Sequence, residues 1–225
     1  MPENFPAESD FKRDTIYWNQ YYKKNSEISK PSLFALFVRK NYLKENTSLL
    51  DLGCGNGRDS LYFAGQGLKV TAVDASDYAI NELAQRNIPN AEFICEDFVK
   101  TSLIYSRQYD YCYSRFSLHA INAAQEDLLL TNVKKTLKTA GKFFIEVRSV
   151  NDPLFGKGAP VLTERGEVIK NCFVYNEHFR RFIDKKELEE ALLSKDYKIE
   201  YSEEKTGFAP FGKENPPIIR IVTHI

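Results

Sequence analysis

Histidine, methionine and tryptophan are scarce in this chain: three, one and one among 225 residues. The four cysteines, Cys54, Cys95, Cys112 and Cys172, are scattered, with no C-x-x-C and no histidine beside them. That spacing argues against a structural metal and against a disulfide framework; three of the four fall in or beside predicted strands, where cysteine serves as a small core residue. A reduced, cytoplasmic protein is expected. Net charge is also missing, since 31 basic and 31 acidic residues cancel, so no overall field would draw nucleic acid. No apolar run approaches membrane-spanning length. The opening Met1-Pro-Glu-Asn-Phe-Pro lacks the basic-then-apolar layout of a signal peptide. Neither an internal repeat nor a low-complexity segment is present.

What is there is ordinary in bulk and specific in detail. Hydrophobic content of 43% and charged content of 28% suit a globular protein long enough to bury a full core. Aromatics are plentiful, with 13 Tyr and 16 Phe. One stretch organises the rest: Leu49-Leu-Asp-Leu-Gly-Cys-Gly-Asn-Gly-Arg-Asp-Ser60. An apolar run over residues 48–52 ends in glycines at 53, 55 and 57, and a helical pattern follows over 58–66. Strand, tight turn and helix are predicted. Glycine lets the backbone turn sharply and approach a ligand, and the helix start presents unpaired N–H groups. Asp51, two residues before the first glycine, would serve a pyrophosphate poorly and an ammonium group well.

The rest of the chain alternates. Helices are predicted over 11–24 and 31–43, with Pro31 in the first turn of the second. Strands follow at 68–74, Ala91–Cys95, 109–114 and 142–148, separated by helices over 76–86 and 125–138. Residues 149–182 do not fit a simple βα unit and read as a flexible loop followed by the aromatic and basic run Cys172-Phe-Val-Tyr-Asn-Glu-His-Phe-Arg-Arg-Phe182. A helix over 185–195 and strands at 197–203 and 218–223 close the chain. The alternation predicts an α/β fold with a parallel sheet covered on both faces. One domain accounts for residues 1–225, with a loose leader over 1–10, a helical cap over 1–45 and an insertion over 149–182. Asp74 ends the second strand about twenty residues beyond the glycines, where such folds place a carboxylate on ribose hydroxyls.

D-L-G-C-G-N-G resembles motif I of the class I S-adenosylmethionine (SAM)-dependent methyltransferases. The resemblance implies a Rossmann-like, seven-stranded, mostly parallel sheet ending in an antiparallel hairpin, with SAM as cofactor. Transferred to this sequence, it implies cofactor contacts from Asp51, Gly53, Cys54, Gly55, Arg58 and Asp59. It adds Asp74 and Ala75 at the ribose, Asp97 and Phe98 at the adenine, and Ser114 after the fourth strand. Tyr22, in the aromatic run Tyr17-Trp18-Asn19-Gln20-Tyr21-Tyr22, would close over the cofactor. Acceptor contacts are expected from His119 in the loop after the fourth strand, from Arg148 and from Tyr175, Arg180 and Arg181; Arg115 and Arg220 are weaker candidates. Several arginines converging on one pocket would mean an anionic acceptor.

The arrangement S-R-F-x-L-H-A-I, E-V-R-S and H-F-R-R-F-I further looks like the small methyltransferases of bacterial capsule and lipopolysaccharide biosynthesis. It implies a phosphate-type, phosphoramidate-type or sugar-linked acceptor. A phosphoryl oxygen would need only positioning, whereas a sugar hydroxyl would need His119 as base. Two other readings stay open: a thiol- or metalloid-directed methyltransferase, and a catalytically silent SAM-binding protein. An RNA methyltransferase is disfavoured, because Ser114-Arg-Phe-Ser stands where an N-P-P-Y-type tetrad would be.

Overall fold

In the computed structural model, which describes residues 8–25, 27, 30–176 and 178–225, the βα alternation becomes a single large sheet. Two helices come first, α1 (Glu8–Lys24) and α2 (Leu33–Asn41). Then β1 (Ser48–Leu52), α3 (Arg58–Gly65), β2 (Lys69–Asp74), α4 (Asp77–Ala84) and β3 (Ala91–Cys95) follow in turn. Next come α5 (Leu103–Ser106), β4 (Tyr109–Arg115), α6 (Ala123–Thr136) and β5 (Leu137–Arg148). The insertion contributes β6 (Ala159–Leu162), β7 (Val168–Tyr175) and β8 (His178–Arg181); α7 (Lys185–Ser194), β9 (Lys198–Lys205) and β10 (Ile218–His224) finish the chain. The strand order is β3-β2-β1-β4-β5-β10-β9, parallel through β5. Only β10 runs against both its neighbours, as the expected closing hairpin requires.

Strand alternation fills both faces. Leu50, Cys112, Phe143 and Ile145 pack with Leu129, Val133 and Leu188 on one side. Leu49, Tyr113 and Phe144 pack with Phe34, Val38 and Phe63 on the other. Adjacent residues such as Leu49 and Leu50 are thus both fully buried, and a buried side chain of this size contributes about 1.5–3 kcal/mol.

Three local expectations are corrected. The Ser32 hydroxyl accepts from the Ala35 N–H and caps α2, so Pro31 precedes the cap instead of lying in the first turn. Asn122 and Gln125 form a capping box that starts α6 at Ala123, and the backbone is already extended at Leu137, so residues 137–141 belong to β5. The insertion is not a loose loop. Its strands make a separate antiparallel sheet, β6-β7-β8, tied at its base by Val150 N–H to Ile183 O and Ile183 N–H to Arg148 O, each 3.0 Å. Of the predicted leader, residues 1–7 lie outside the described residues, and α1 has begun by Glu8.

No helix among the described residues is long and apolar enough to cross a membrane. No metal-holding cluster of His, Cys, Asp or Glu occurs among them, and all four cysteines are free thiols.

Candidate functional site

β1 lies between β2 and β4, where the strand order reverses; ligands of open α/β sheets bind beyond the strand carboxyl ends at such a point. The loop after β1 lines it with backbone. Gly53 and Gly55 hold φ of 82° and 56°, a region L side chains rarely enter. The N–H groups of Gly53 and Cys54 donate to Val73 O at 2.8 and 3.0 Å, locking the turn to β2. A Cβ at Gly53 would lie 2.7 Å from the Ser117 β-carbon, and one at Gly55 would strike the Tyr22 hydroxyl. The backbone must be bare at both positions.

Three carboxylates surround this loop. Asp51 is buried and accepts from the Ser60 hydroxyl at 2.5 Å. Burial, with Asp59 and Asp74 nearby, pushes its carboxyl up to about 7, so a cation that ionises it would be favoured. Asp74 accepts from the N–H of Gly55 at 2.8 Å through one oxygen and from that of Ser76 at 2.9 Å through the other. Each oxygen keeps a lone pair, enough for two hydroxyls of a cis-diol. Burial raises the Asp74 carboxyl and, less deeply, that of Asp97; Asp97 is also braced by the Val99 N–H at 2.8 Å. The neighbouring Glu96 is committed to Thr101 and Ser102. Phe98 lies against Gly53, Ala75 joins Asp74 to the Ser76 cap of α4, and the half-buried Cys54 thiol is held neutral by burial and by Asp74. The donor and acceptor set fits SAM: Asp51 could take its ammonium, Asp74 its ribose hydroxyls and Asp97 its adenine amine.

Asp59 is turned elsewhere. It accepts from the Ser32 N–H and hydroxyl (2.8 and 2.7 Å) and from the Tyr113 hydroxyl at 2.8 Å, bracing α2 against α3 and β4. This departs from the expected cofactor contact, because three of the carboxylate's four acceptor sites are taken inside the fold and Arg58 lies beside it. Arg58 keeps its Nε 3.6 Å from the same carboxylate. The Ser114 hydroxyl pairs with that of Ser117 at 2.5 Å.

A second cluster forms where β4, β5, β8 and α1 meet. His119 lies on a 3-10 turn, Leu118–Ala120, and is buried with its Nδ1 unpartnered. Burial above all, with Arg148, His178 and Arg180, keeps its imidazole neutral well below the usual histidine range. His178 is 3% exposed and its Nδ1 is likewise unpartnered. Burial, then Arg180 and Arg148, lowers its pKa to about 3. The Tyr17 ring stacks on it at 4.3 Å, and Trp18 meets it edge-on at 5.0 Å. Arg148 donates to Asp152 at 2.5 Å. Phe116 lies between two guanidiniums, 4.4 Å from Arg115 and 5.7 Å from Arg148, at φ 55°; a non-glycine held there stores local strain. Arg180 has no hydrogen-bond or ion-pair partner among the described residues, and burial and Arg148 lower its pKa.

The remaining arginines are structural. Arg181, expected beside the acceptor, instead donates to Glu126 and to Ile121 O. Strand alternation turns it to the opposite face of β8 from Arg180. Arg115 and Arg220 share the fully buried Glu146, at 2.8 and 2.6 Å. Tyr175, at the end of β7, is 36% exposed and close to Arg180.

α1 spans both clusters. Tyr22 covers Gly55, Trp18 stacks on Tyr22 at 5.7 Å, and Asn19 joins α4 through the Ser76 hydroxyl and Asp77, each at 2.6 Å. Phe116 carries no sequence signal of a role, and the sequence places His178 in the insertion among Tyr175, Arg180 and Arg181 without making it a site residue. The alternation of His178 with Arg180 was the available signal, and it carries meaning only once β8 is known to be a strand.

Residues 49–141 match the methyltransferase domain model. A curated relative, the S-adenosyl-L-methionine-dependent Diels-Alderase iccD of Talaromyces variabilis, is 32% identical over 135 residues, 56% of this chain and 45% of that protein. The chain spans about half the length of the curated relatives it matches. Among solved structures, Burkholderia thailandensis 1,6-didemethyltoxoflavin-N1-methyltransferase superposes with a TM-score of 0.72 at 19% identity, covering 100% of this chain and 92% of that one. The [4+2]-cyclase SpnF gives 0.69 at 15%, covering 99% and 98%. Residues 49–141 thus carry a methyltransferase domain, and the chain as a whole has the fold of the SAM-dependent methyltransferases.

Proposed function

We propose that the protein transfers a methyl group from SAM to an oxygen of a small anionic acceptor. When bound, SAM supplies a methyl group on a sulfonium; the chain supplies the pocket. Asp51, Asp74, Asp97 and the 53–55 backbone hold the cofactor. α1 acts as a lid, with Tyr22 over the cofactor side and Tyr17 and Trp18 over the acceptor side. The β6–β8 insertion is the outer wall of the acceptor pocket.

One observation carries the anionic reading: Arg180 lacks a partner among the described residues and sits with Arg148 beside two histidines held neutral. Asp152 holds Arg148 and also lies near Arg180, but it makes no hydrogen bond to Arg180 among the described residues, which leaves that guanidinium's donors for an anionic ligand. Such an acceptor already presents a nucleophilic oxygen, so no proton need be removed, and the chain's task is orientation and exclusion of water. His119 is a poor base because its conjugate acid is disfavoured there. A neutral sugar hydroxyl and a soft thiol are both disfavoured on this account. Sugar-linked phosphates of surface-polysaccharide synthesis belong to the favoured class through the sequence resemblance; the matched proteins named above give that setting no support.

A second reading is kept by the comparisons themselves, since two of the matched proteins are named as a Diels-Alderase and a cyclase. A chain of that kind would use SAM without consuming it. Release of S-adenosylhomocysteine (SAH) on incubating the protein with SAM and phosphorylated or carboxylated acceptors supports transfer. Tight SAM binding with no release on any acceptor would favour the second reading.

A further inference from the structure

His178 is as buried as a core residue, yet its Nδ1 has no partner, and the same is true of His119. A buried polar atom left unpaired costs about 1–3 kcal/mol, so two such atoms on histidines that feel each other's charge need a reason. Packing supplies none: the Tyr17 stack at 4.3 Å and the Trp18 contact at 5.0 Å engage the ring of His178, and a phenyl ring would fill that space equally well. On β8, His178 and Arg180 share a face by strand alternation, with the paired Arg181 on the other. One wall thus offers a guanidinium without a partner among the described residues and a neutral imidazole nitrogen without one.

We propose that His178 reads the protonation state of the acceptor's oxyanion. With Arg148 and Arg180 on its charged oxygens, His178, with His119 beside it, accepts a hydrogen bond from an oxygen that still carries a proton. The pocket then takes oxyanions that still carry a proton, such as monohydrogen phosphate or the monoanion of a phosphomonoester, and rejects those with no proton, whose lone pairs would face the imidazole lone pair. This inference rests on the anionic-acceptor reading above and adds to it a specificity-determining residue and a narrower substrate class. Burial and the two arginines keep both imidazoles unprotonated at neutral pH, so each ring has one N–H and one lone pair, and in the proposed arrangement the lone pair is at the unpartnered Nδ1.

Phosphate and sulfate test it, because they match in shape and near neutrality both are dianions in large part, but only monohydrogen phosphate has a proton to give. Binding of each to the SAH-saturated protein is measured by calorimetry at pH 7.5. The expected result is at least tenfold tighter binding of phosphate. His178→Phe, which keeps the stack on Tyr17, is expected to bring the two anions to one level, by weakening phosphate and relieving the repulsion of sulfate, while leaving SAH affinity unchanged. Arg180→Ala is expected to weaken both anions. Equal binding of the two anions by the wild type, or a phosphate preference that survives in His178→Phe, overturns the role of His178 and leaves the anionic acceptor standing. Binding of neither anion overturns the anionic reading itself.

Discussion

Asp51 carries a strongly perturbed carboxyl at the end of β1. Its carboxyl is raised to about 7 by burial, and the sign of the consequence is fixed. A raised acid contributes stability that is fully present below the ordinary carboxylate range and lost as pH rises through about 7, because the folded state holds the proton longer. A cofactor ammonium reverses the preference, so binding should expel that proton. SAH titrated at pH 6.5 in buffers of different ionisation enthalpy should release about half a proton or more, and Asp51→Asn should abolish the release. A wild-type enthalpy independent of buffer would remove Asp51 from the ammonium. Asp74→Asn keeps the shape but loses the charge, and should weaken SAH binding by about 1.5–3 kcal/mol with little change in Tm. Unchanged affinity in the folded variant would move the ribose elsewhere. At His119 the account predicts a modest loss. His119→Asn should keep a kcat-pH profile parallel to the wild type, whereas a general base would cost about 10²–10⁴ and take one limb of the profile with it.

Elements explain which parts of the site were legible before any coordinates. The glycine loop, Asp74 and Asp97 each sit at the end of a strand with a strong local pattern, so their convergence follows from the alternation of strands and helices. Arg180 and Arg181 show the opposite case. They are adjacent and of one residue type, and nothing local separates them. Only the pairing of β8 with β7 turns one to the histidines and the other to Glu126. Strands β6 and β7 expose most of their residues, which leaves little hydrophobic alternation to read. Asp59 belongs with them: its sequence neighbours mark a cofactor loop, but Ser32 and Tyr113, distant in sequence, claim its oxygens. α1 gives the prediction at this scale. It is joined to α4 by Asn19, to β8 by the Tyr17–His178 stack and to the loop after β1 by Tyr22, and it lies over a site that must open for exchange. Hydrogen exchange should slow across residues 15–24 on adding SAH, and Asn19→Ala should reduce that protection. Protection confined to the 53–57 loop would make α1 ordinary packing.

Across the whole molecule the chain balances 31 basic against 31 acidic residues while gathering positive charge at one buried spot. Buried Glu146 offsets Arg115 and Arg220, Asp152 offsets Arg148, and Glu126 offsets Arg181. Arg180 is left for a ligand, and the histidines beside it stay neutral. Their cost appears on acidification. Relative to His178→Phe, the wild type should lose stability as pH falls from 6.5 toward about 3, since the unfolded histidine takes up a proton that the folded one refuses. Calorimetric melting of both proteins across that range checks it, and parallel curves would contradict the burial argument. The central claim is methyl transfer to an anionic oxygen, and its most direct measurement is transfer of labelled methyl from SAM to a panel of small phosphorylated, carboxylated, neutral and thiol acceptors. The account predicts labelled product from anionic acceptors alone, with turnover sharply reduced in Arg180→Lys, which keeps the charge but loses the paired donors. Label carried only by a neutral or thiol acceptor, at a rate indifferent to Arg180, would contradict it.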